Sequence, residues 1–152
     1  MQAIGIDYGN RNVGIAVGDT DIGIAVPLAT FINISINDTV DYILIKADEN
    51  ASKVIIVGMP YTMSGKVGDQ AKLVIDFIDA LRSRTLLPVE IVDERLSTTE
   101  VEKIAQVQFS KKKTRKKKFS KKNSEIDSSA AAIILQSWLD SRIIMKNISK
   151  NY

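Results

Sequence analysis

The sequence predicts an α/β domain built on one mixed sheet, in which three antiparallel strands are followed by two parallel strands, with helices flanking the sheet. Short apolar runs separated by turn residues open the chain, which is typical of antiparallel strands. Two later apolar runs are each preceded by an amphipathic helical pattern, which indicates crossover connections and parallel pairing. All eight glycines and all three prolines precede Val89, so long helices are expected in the second half. A chain of 152 residues suits a single domain over residues 1–152.

The first three predicted strands form an antiparallel group. An apolar run over residues 3–7 ends at a turn over residues 8–10, and residues 13–17 then alternate β-branched with small side chains, so this stretch predicts a hairpin. A third strand is expected over residues 22–31. Pro27 indicates that this third strand lies at a sheet edge or contains a bulge, because proline cannot donate a hydrogen bond to a neighbouring strand.

Helices and strands then alternate. The polar pair Asn37-Asp38 precedes apolar residues at helical spacing, which predicts an amphipathic helix. The continuous β-branched run over residues 54–57 is typical of a strand buried on both faces. After a loop over residues 59–67, a second helix is expected over residues 68–84, and a last strand is expected over residues 89–92.

Two capping patterns predict the remaining helices. Ser97 is followed three residues later by Glu100, which is the spacing of a capping box, so a helix is expected from Ser97 to about Val107. Ser124 and Asp127 have a similar spacing and predict a long final helix with a broad apolar surface.

The composition excludes several chemistries. The sequence has no histidine and no cysteine, so histidine triads, thiolate nucleophiles, disulfides and zinc sites built on these residues are excluded. Catalysis would have to use carboxylates, hydroxyls, amines, guanidinium groups or a metal ion bound through oxygen. Because the sequence also lacks a signal-peptide pattern and a long apolar run, we expect a cytoplasmic protein that does not bind membranes.

The net charge of +3 conceals a strongly basic segment at residues 110–123. Nine of the 21 lysine and arginine residues lie in it without any acidic residue, so the rest of the chain has 12 basic and 18 acidic residues. Such a segment repels itself and resists burial, so we expect a flexible loop that either contacts polyanions or only improves solubility. Its basic residues are Lys111, Lys112, Lys113, Arg115, Lys116, Lys117, Lys118, Lys121 and Lys122.

Acidic residues lie at the ends of two predicted strands and at the start of the last helix. Asp7 ends the first strand, Glu94 follows the last strand, and Asp127 begins the helix. If the first strand pairs with the strand at residues 54–57, these carboxylates meet at one sheet edge, where α/β proteins usually bind ligands. Such a cluster repels itself unless a divalent cation binds, and oxygen ligands favour Mg²⁺ or Mn²⁺. Each acid also has a structural interpretation, as a turn residue, a surface partner of Arg95 and a helix cap, respectively.

Four motifs resemble those of one known family in their order and spacing. They are Gly5-Ile6-Asp7-Tyr8-Gly9 with the hairpin after it, Val57-Gly58-Met59-Pro60, Asp93-Glu94-Arg95-Leu96-Ser97-Thr98, and Ile126-Asp127-Ser128 with the helix after it. Over roughly residues 3–140 the chain resembles the family of Holliday junction resolvase-like proteins of the YqgF type, also called pre-16S rRNA nucleases. That family is similar to the RuvC branch of the ribonuclease H fold, so the resemblance implies a ribonuclease H-like mixed sheet.

The resemblance implies a metal-dependent nuclease that hydrolyses phosphodiester bonds. In it, Asp7, Glu94 and Asp127 are the expected catalytic residues, and the same three side chains are the expected ligands of Mg²⁺ or Mn²⁺. For Ser97, helix capping is an equally good interpretation as substrate binding. The expected substrate-binding residues are Arg11, Arg95, Ser97, Thr98, Lys111, Lys112, Lys113, Arg115, Lys116, Lys117 and Lys118.

The resemblance also suggests a role. We expect maturation of the 5′ end of the 16S rRNA precursor, with RNA favoured over DNA and the ribosomal small-subunit precursor as a partner. Two alternatives are a Holliday junction resolvase that cuts branched DNA and a non-catalytic RNA-binding or transcription-associated factor with the same fold. The chain is expected to be a monomer or a weak homodimer. It departs from RuvC-like resolvases at Ala130, where these usually have a fourth carboxylate.

Overall fold

A computed structural model provides the structure of the protein and describes residues 1–97 and 124–150. For residues 96–97 and 124–129 it describes the backbone alone. The strands are β1 (Gln2–Tyr8), β2 (Asn12–Asp19), β3 (Ile24–Ile32), β4 (Val54–Met59) and β5 (Val89–Asp93). The helices in these residues are α1 (Ile36–Glu49), α2 (Asp69–Arg84), α3 (Glu94–Ser97) and α4 (Ser124–Lys150).

The five strands form one sheet in the order β3-β2-β1-β4-β5. Strand β1 pairs antiparallel with β2, which pairs antiparallel with β3, whereas β1 pairs parallel with β4, which pairs parallel with β5. The predicted mixed sheet is therefore confirmed. Strand β1 lies at its centre, and the carboxyl ends of β1, β4 and β5 reach the same edge of the sheet.

Helices cover both faces of the sheet. Helices α1 and α2 pack on one face, around Ile4 and Ile6 of β1. Helix α4 packs on the other face, where Ala3 belongs to its core and a methyl group built on Gly5 would lie 2.7 Å from Leu135 Cβ. Because successive side chains of a strand point to opposite faces, β1 places residue 7 on the α4 face.

Strand β3 begins two residues later than predicted because the preceding turn is longer. Asp19 Oδ1 accepts hydrogen bonds from two backbone N–H groups within this turn, at 2.7 and 3.1 Å. Gly23 ends the turn with a φ of 75°, which glycine adopts without strain. The interpretation of Pro27 is confirmed, since β3 is an edge strand and its register with β2 shifts between Ile15 and Ala16, the partner of Pro27.

A short helix that was not predicted from the sequence follows β5 directly. It begins at Glu94 and reaches Ser97, whereas the helix predicted from Ser97 to about Val107 lies outside the described residues. Asp93 Oδ1 accepts a hydrogen bond from the backbone N–H of Arg95 at 3.0 Å. A carboxylate that accepts from the second residue of a helix is an N-cap, so Asp93 caps α3.

Of the remaining helical predictions, one concerns described residues and the other does not. Helix α4 begins at Ser124 as predicted and extends to Lys150. Apart from Ser97, the helix expected from Ser97 to about Val107 and the basic segment at residues 110–123 fall in the part of the chain that the structure does not describe. Within residues 1–97 and 124–150, no helix combines the length and apolar character required to cross a membrane.

Candidate active site

Asp7 lies near the carboxyl end of the central strand. It pairs with Gly14 of β2, and its side chain is partly buried. One residue later β1 ends, and the chain reverses through a turn in which the Gly9 N–H donates to the Asn12 carbonyl oxygen at 3.0 Å. This arrangement places a carboxylate at the sheet edge where β4 and β5 also end.

Glu94 follows β5 directly, and its side chain extends over the end of β4. A methyl group built on Gly58 would lie 2.7 Å from Glu94 Oε1 and 2.5 Å from Cδ1 of Ile134 in α4. The Glu94 carboxylate and Ile134 therefore occupy the space above Gly58, on the α4 face. In the parallel register of β1 and β4, Ile6 pairs with Val57, and Asp7 and Gly58 are the next residue of each strand, so Asp7 and Glu94 lie at the same end of these strands.

The electrostatics of Glu94 reflect this arrangement. Burial, followed by the negative charges of Asp7 and Asp93, raises the pKa of Glu94 to about 7. The second-largest cause is the charge of Asp7, so the two carboxylates repel each other at this edge of the sheet. A divalent cation would offset this repulsion, and carboxylate oxygens are the donors that Mg²⁺ and Mn²⁺ prefer. The donor set of the site therefore fits such a cation.

Asp127 lies in the first turn of α4, and its side chain is outside the description. The Ala131 carbonyl oxygen would lie 3.1 Å from a methyl group on Gly5. Residue 127 lies about 6 Å from residue 131 along the helix axis, which is roughly one turn. Asp7 lies a similar distance from Gly5 along β1, since each strand residue adds about 3.3 Å. Among the described side chains no group of three potential ligands is present, so the three-carboxylate cluster stays a prediction.

Arg95 is bound by Asp93. The guanidinium donates from Nη2 to Asp93 Oδ2 at 2.6 Å and from Nε to both carboxylate oxygens at 3.1 and 3.2 Å. These hydrogen bonds hold the pKa of Asp93 below its usual range. The guanidinium also lies over the Tyr61 ring, 5.5 Å from its centroid. The structure thus gives Arg95 partners within the protein, and its expected contact with substrate stays a prediction.

The other expected substrate-binding residues are distributed differently. Arg11 lies in the exposed turn between β1 and β2, at the same edge as Asp7. Ser97 ends α3, and its side chain is not described. The following residues lie beyond the described part of the chain: Thr98, Lys111, Lys112, Lys113, Arg115, Lys116, Lys117 and Lys118.

Sequence reasoning missed the roles of Gly58, Asp93 and Tyr61. The sequence Asp93-Glu94-Arg95 did contain a signal for the role of Asp93. Side chains of adjacent residues point in different directions, so only one of the two acids can face the site, and the other can bind the arginine. Gly58 belongs to the motif Val57-Gly58-Met59-Pro60, but its contact with Glu94 and that of Tyr61 with Arg95 gave no local signal, because both join residues more than 30 positions apart.

The fold is that of nucleases, and the protein is a hydrolase that acts on nucleic acids. Comparison with known proteins gives the particular family. The chain belongs to the RuvX family, described as Holliday junction resolvase, whose sequence profile matches residues 1–141.

Relatives match over almost the whole chain. A protein of Synechocystis sp. is 37% identical over 142 residues, which cover 93% of this chain and 89% of the relative. A protein of Gloeothece citriformis is 39% identical over 143 residues, with the same shares covered. A protein of Clostridium novyi is 33% identical over 141 residues, with 93% and 99% covered. All three have the provisional name pre-16S rRNA nuclease.

Solved structures share the fold. The RuvC protein of T. thermophilus in complex with Holliday junction substrate has a TM-score of 0.57 and 14% identity, with 94% of this chain and 96% of that chain covered. The Holliday junction resolvase of fowlpox virus has a TM-score of 0.54 and 16% identity, with 93% and 99% covered. These likenesses confirm the predicted ribonuclease H-like sheet.

Proposed function

We propose that this protein is a divalent-metal-dependent nuclease that cleaves phosphodiester bonds in structured RNA, and that its role is maturation of the 5′ end of the 16S rRNA precursor. The names of the relatives support the choice of RNA, since three relatives that are 33–39% identical share the name pre-16S rRNA nuclease. The RuvX description, Holliday junction resolvase, favours a second candidate function, which is cleavage of branched DNA.

The observation that carries this proposal is the pair of Asp7 and Glu94 across the end of β4. Two partly buried carboxylates without histidine or cysteine nearby have the donor chemistry of a site for Mg²⁺ or Mn²⁺. In the proposed site Asp127, from the first turn of α4, is the third ligand. When bound, a divalent cation supplies Lewis-acid stabilisation of charge at the phosphate and activates water.

In this mechanism, different residues bind the cation, exclude water and attract the nucleic acid. Asp7 and Glu94 hold the cation at the sheet edge, and the packing of Ile134 over Gly58 excludes water from one side of the Glu94 carboxylate. Arg11 in the turn after β1 attracts the phosphate backbone to this edge. Beyond the site, the basic segment at residues 110–123 supplies long-range attraction, which an acidic body lacks. We further propose a cytoplasmic monomer or weak homodimer with the small-subunit precursor as its partner.

A cleavage assay tests the proposal. The full chain is offered 16S precursor RNA and a four-way DNA junction in parallel, with Mg²⁺, with Mn²⁺ or with a chelator. We expect cleavage of the RNA with either metal and none with the chelator. Asp7→Asn, Glu94→Gln and Asp127→Asn should each lower the rate by at least about a hundredfold, because each removes a ligand.

The control variant is Asp79→Asn, which changes an exposed carboxylate of α2 and should cleave at the parent rate. Cleavage of the junction alone would replace the proposed substrate by branched DNA. If the parent binds RNA but cleaves nothing with either metal, the non-catalytic binding factor is the correct interpretation.

A further inference from the structure

The loop between β4 and α2 forms an ordered turn beside the carboxylate pair. Thr62 and Lys66 close it, since the Thr62 N–H donates to the Lys66 carbonyl oxygen at 3.0 Å and the Lys66 N–H donates to Thr62 Oγ1 at 3.1 Å. Within it the Gly65 N–H donates to the Thr62 carbonyl oxygen at 2.8 Å, and Gly65 has a φ of 81°. Met63 is 94% exposed at the tip of the turn. The turn therefore has its own internal hydrogen bonds but little apolar packing at its tip.

Arg95 connects this turn to the residues around Glu94. Its guanidinium lies over the Tyr61 ring, and a methyl group built on Gly65 would lie 3.3 Å from Arg95 Nη1. On the opposite side, Asp93 binds Nε and Nη2 and also accepts from the Arg95 backbone N–H. The Asp93 side chain is only 19% exposed, which reduces the solvent screening of this ion pair.

We propose that Arg95, held by Asp93, is a positioning residue that fixes the turn at residues 61–66 and the Glu94 carboxylate relative to each other. Glu94 lies between the two partners in sequence, so the Asp93–Arg95 pair closes a small ring of chain around it. This role deepens the proposed nuclease function, on which it rests, and it differs from direct binding of phosphate by Arg95. If Arg95 bound phosphate directly, loss of Asp93 would leave that contact in place. If Arg95 positions the turn and Glu94, loss of Asp93 should impair this role, because Asp93 holds the guanidinium.

Hydrogen exchange in the metal-free protein tests the positioning role without relying on cleavage. In Arg95→Ala and in Asp93→Asn, the backbone amides of Thr62, Gly65 and Lys66 should exchange at least about tenfold faster than in the parent. Asparagine also caps helices, so Asp93→Asn removes the ion pair and keeps the start of α3. Unchanged exchange in both variants would overturn the proposal, whether or not the parent cleaves nucleic acid.

The matched control is Arg142→Ala. Arg142 also combines an ion pair with an aromatic contact, to Glu90 at 3.8 Å and over Trp138 at 4.7 Å, but it belongs to the opposite end of β5. This variant should leave both the exchange of the turn and the cleavage rate unchanged. Faster exchange of the turn in Arg142→Ala would show a general loosening of the protein and would overturn the specific role of Arg95.

Kinetics then separate positioning from phosphate binding. With an active parent, Arg95→Ala and Asp93→Asn should each lower kcat at least about tenfold with little change in KM, and the double variant should be no slower than the slower single variant. The dependence of binding on salt should keep its slope, since no phosphate contact is lost. Parent-like cleavage by Asp93→Asn together with a flatter salt dependence of Arg95→Ala would overturn the proposal. An inactive parent whose turn still loosens in both variants would reject the nuclease function alone.

Discussion

At the scale of single residues, the site combines two features that oppose stability. Glu94 is partly buried and faces Asp7, and both burial and this repulsion favour its protonated form. Gly58 has no Cβ atom, and the Glu94 side chain occupies the space that the Cβ of any other residue would fill. Arrangements of this kind are typical of functional sites, because groups that are useful for binding a cation are unfavourable without it.

Replacement of Glu94 by glutamine should stabilise the metal-free protein at neutral and higher pH. The folded-state pKa of about 7 exceeds the ordinary value of 4.5, so the protonated acid contributes stability that is fully present below pH 4.5 and is lost as the pH rises through 7. Glutamine resembles the protonated form at every pH. Denaturant unfolding with a chelator should therefore give Glu94→Gln an advantage of about 1–2 kcal/mol at pH 8, discounted for solvent screening, and none at pH 4.

Two comparisons complete this measurement. Asp79→Asn changes an exposed residue of α2 and should have the same free energy of unfolding as the parent at both pH values. Millimolar Mg²⁺ at pH 8 should stabilise the parent but not Glu94→Gln, because the variant lacks a ligand. Equal stabilities of parent and Glu94→Gln at pH 8 would contradict the raised pKa of Glu94 and with it the burial of its carboxyl group next to other acids.

Replacement of Gly58 by alanine should reduce activity far more than stability. The added methyl group would meet Glu94 Oε1 and Ile134 Cδ1, which are the ends of flexible side chains and can move aside. The free energy of unfolding should change by less than about 1.5 kcal/mol, whereas displacement of the carboxylate should lower kcat at least about tenfold. Parent-like kcat in a folded Gly58→Ala protein, verified by circular dichroism, would show that Glu94 does not need the space above Gly58.

At the scale of secondary structure elements, the close approach of α4 to β1 determines where the helix begins relative to the site. A methyl group on Gly5 would lie 2.7 Å from Leu135 Cβ and 3.1 Å from the Ala131 carbonyl oxygen. Neither atom is the end of a flexible side chain, so the helix itself would have to move. Glycine at position 5 thus allows the close packing of α4 on the central strand.

Gly5→Ala should therefore both destabilise the protein and impair the site. Overpacking between a helix and a sheet costs about 1–3 kcal/mol, and a shift of α4 would also move the turn that contains Asp127. We expect a lower thermal midpoint by circular dichroism and a cleavage rate reduced at least about tenfold at temperatures where the variant is folded. Leu86→Ala, at a fully exposed side chain, should match the parent in both measurements. A Gly5→Ala variant with parent stability would contradict the close packing of α4 on β1.

The element scale also shows what the sequence could predict. Strand and helix types followed from local periodicity, and parallel pairing of β4 with β5 followed from the helix between them. The pairing of β1 with β4 was only a condition of the site prediction, and the structure provides it. One boundary was wrong because Asp19 accepts hydrogen bonds from the chain after it and extends the turn before β3. The short helix α3, capped by Asp93, was not predicted. The carboxylate pair was predictable from strand ends, but Gly58 and Tyr61 were not, since their contacts depend on tertiary packing.

At the scale of the whole molecule, charge is distributed very unequally. Nine basic residues lie in residues 110–123, while the rest of the chain has 18 acidic and 12 basic residues. The carboxylate pair adds local repulsion toward phosphate at the edge where substrate is proposed to bind. Long-range attraction of nucleic acid is therefore expected to depend mainly on the basic segment.

Replacing the nine basic residues of this segment with glycine and serine should weaken RNA binding and reduce its dependence on salt. Each lost contact with a phosphate removes about 0.7 from the slope of log K against log salt for single strands and about 0.9 for duplexes, because fewer counterions are released. Fluorescence anisotropy between about 50 and 200 mM salt measures both effects. A control that replaces Lys46, Lys53 and Lys72 with serine removes positive charge from the body and should change the slope little. If the control and the segment variant flatten the slope equally, net charge rather than the segment governs attraction. If cleavage at saturating RNA also stays at the parent rate in the segment variant, the segment serves binding and the carboxylate edge serves the chemistry.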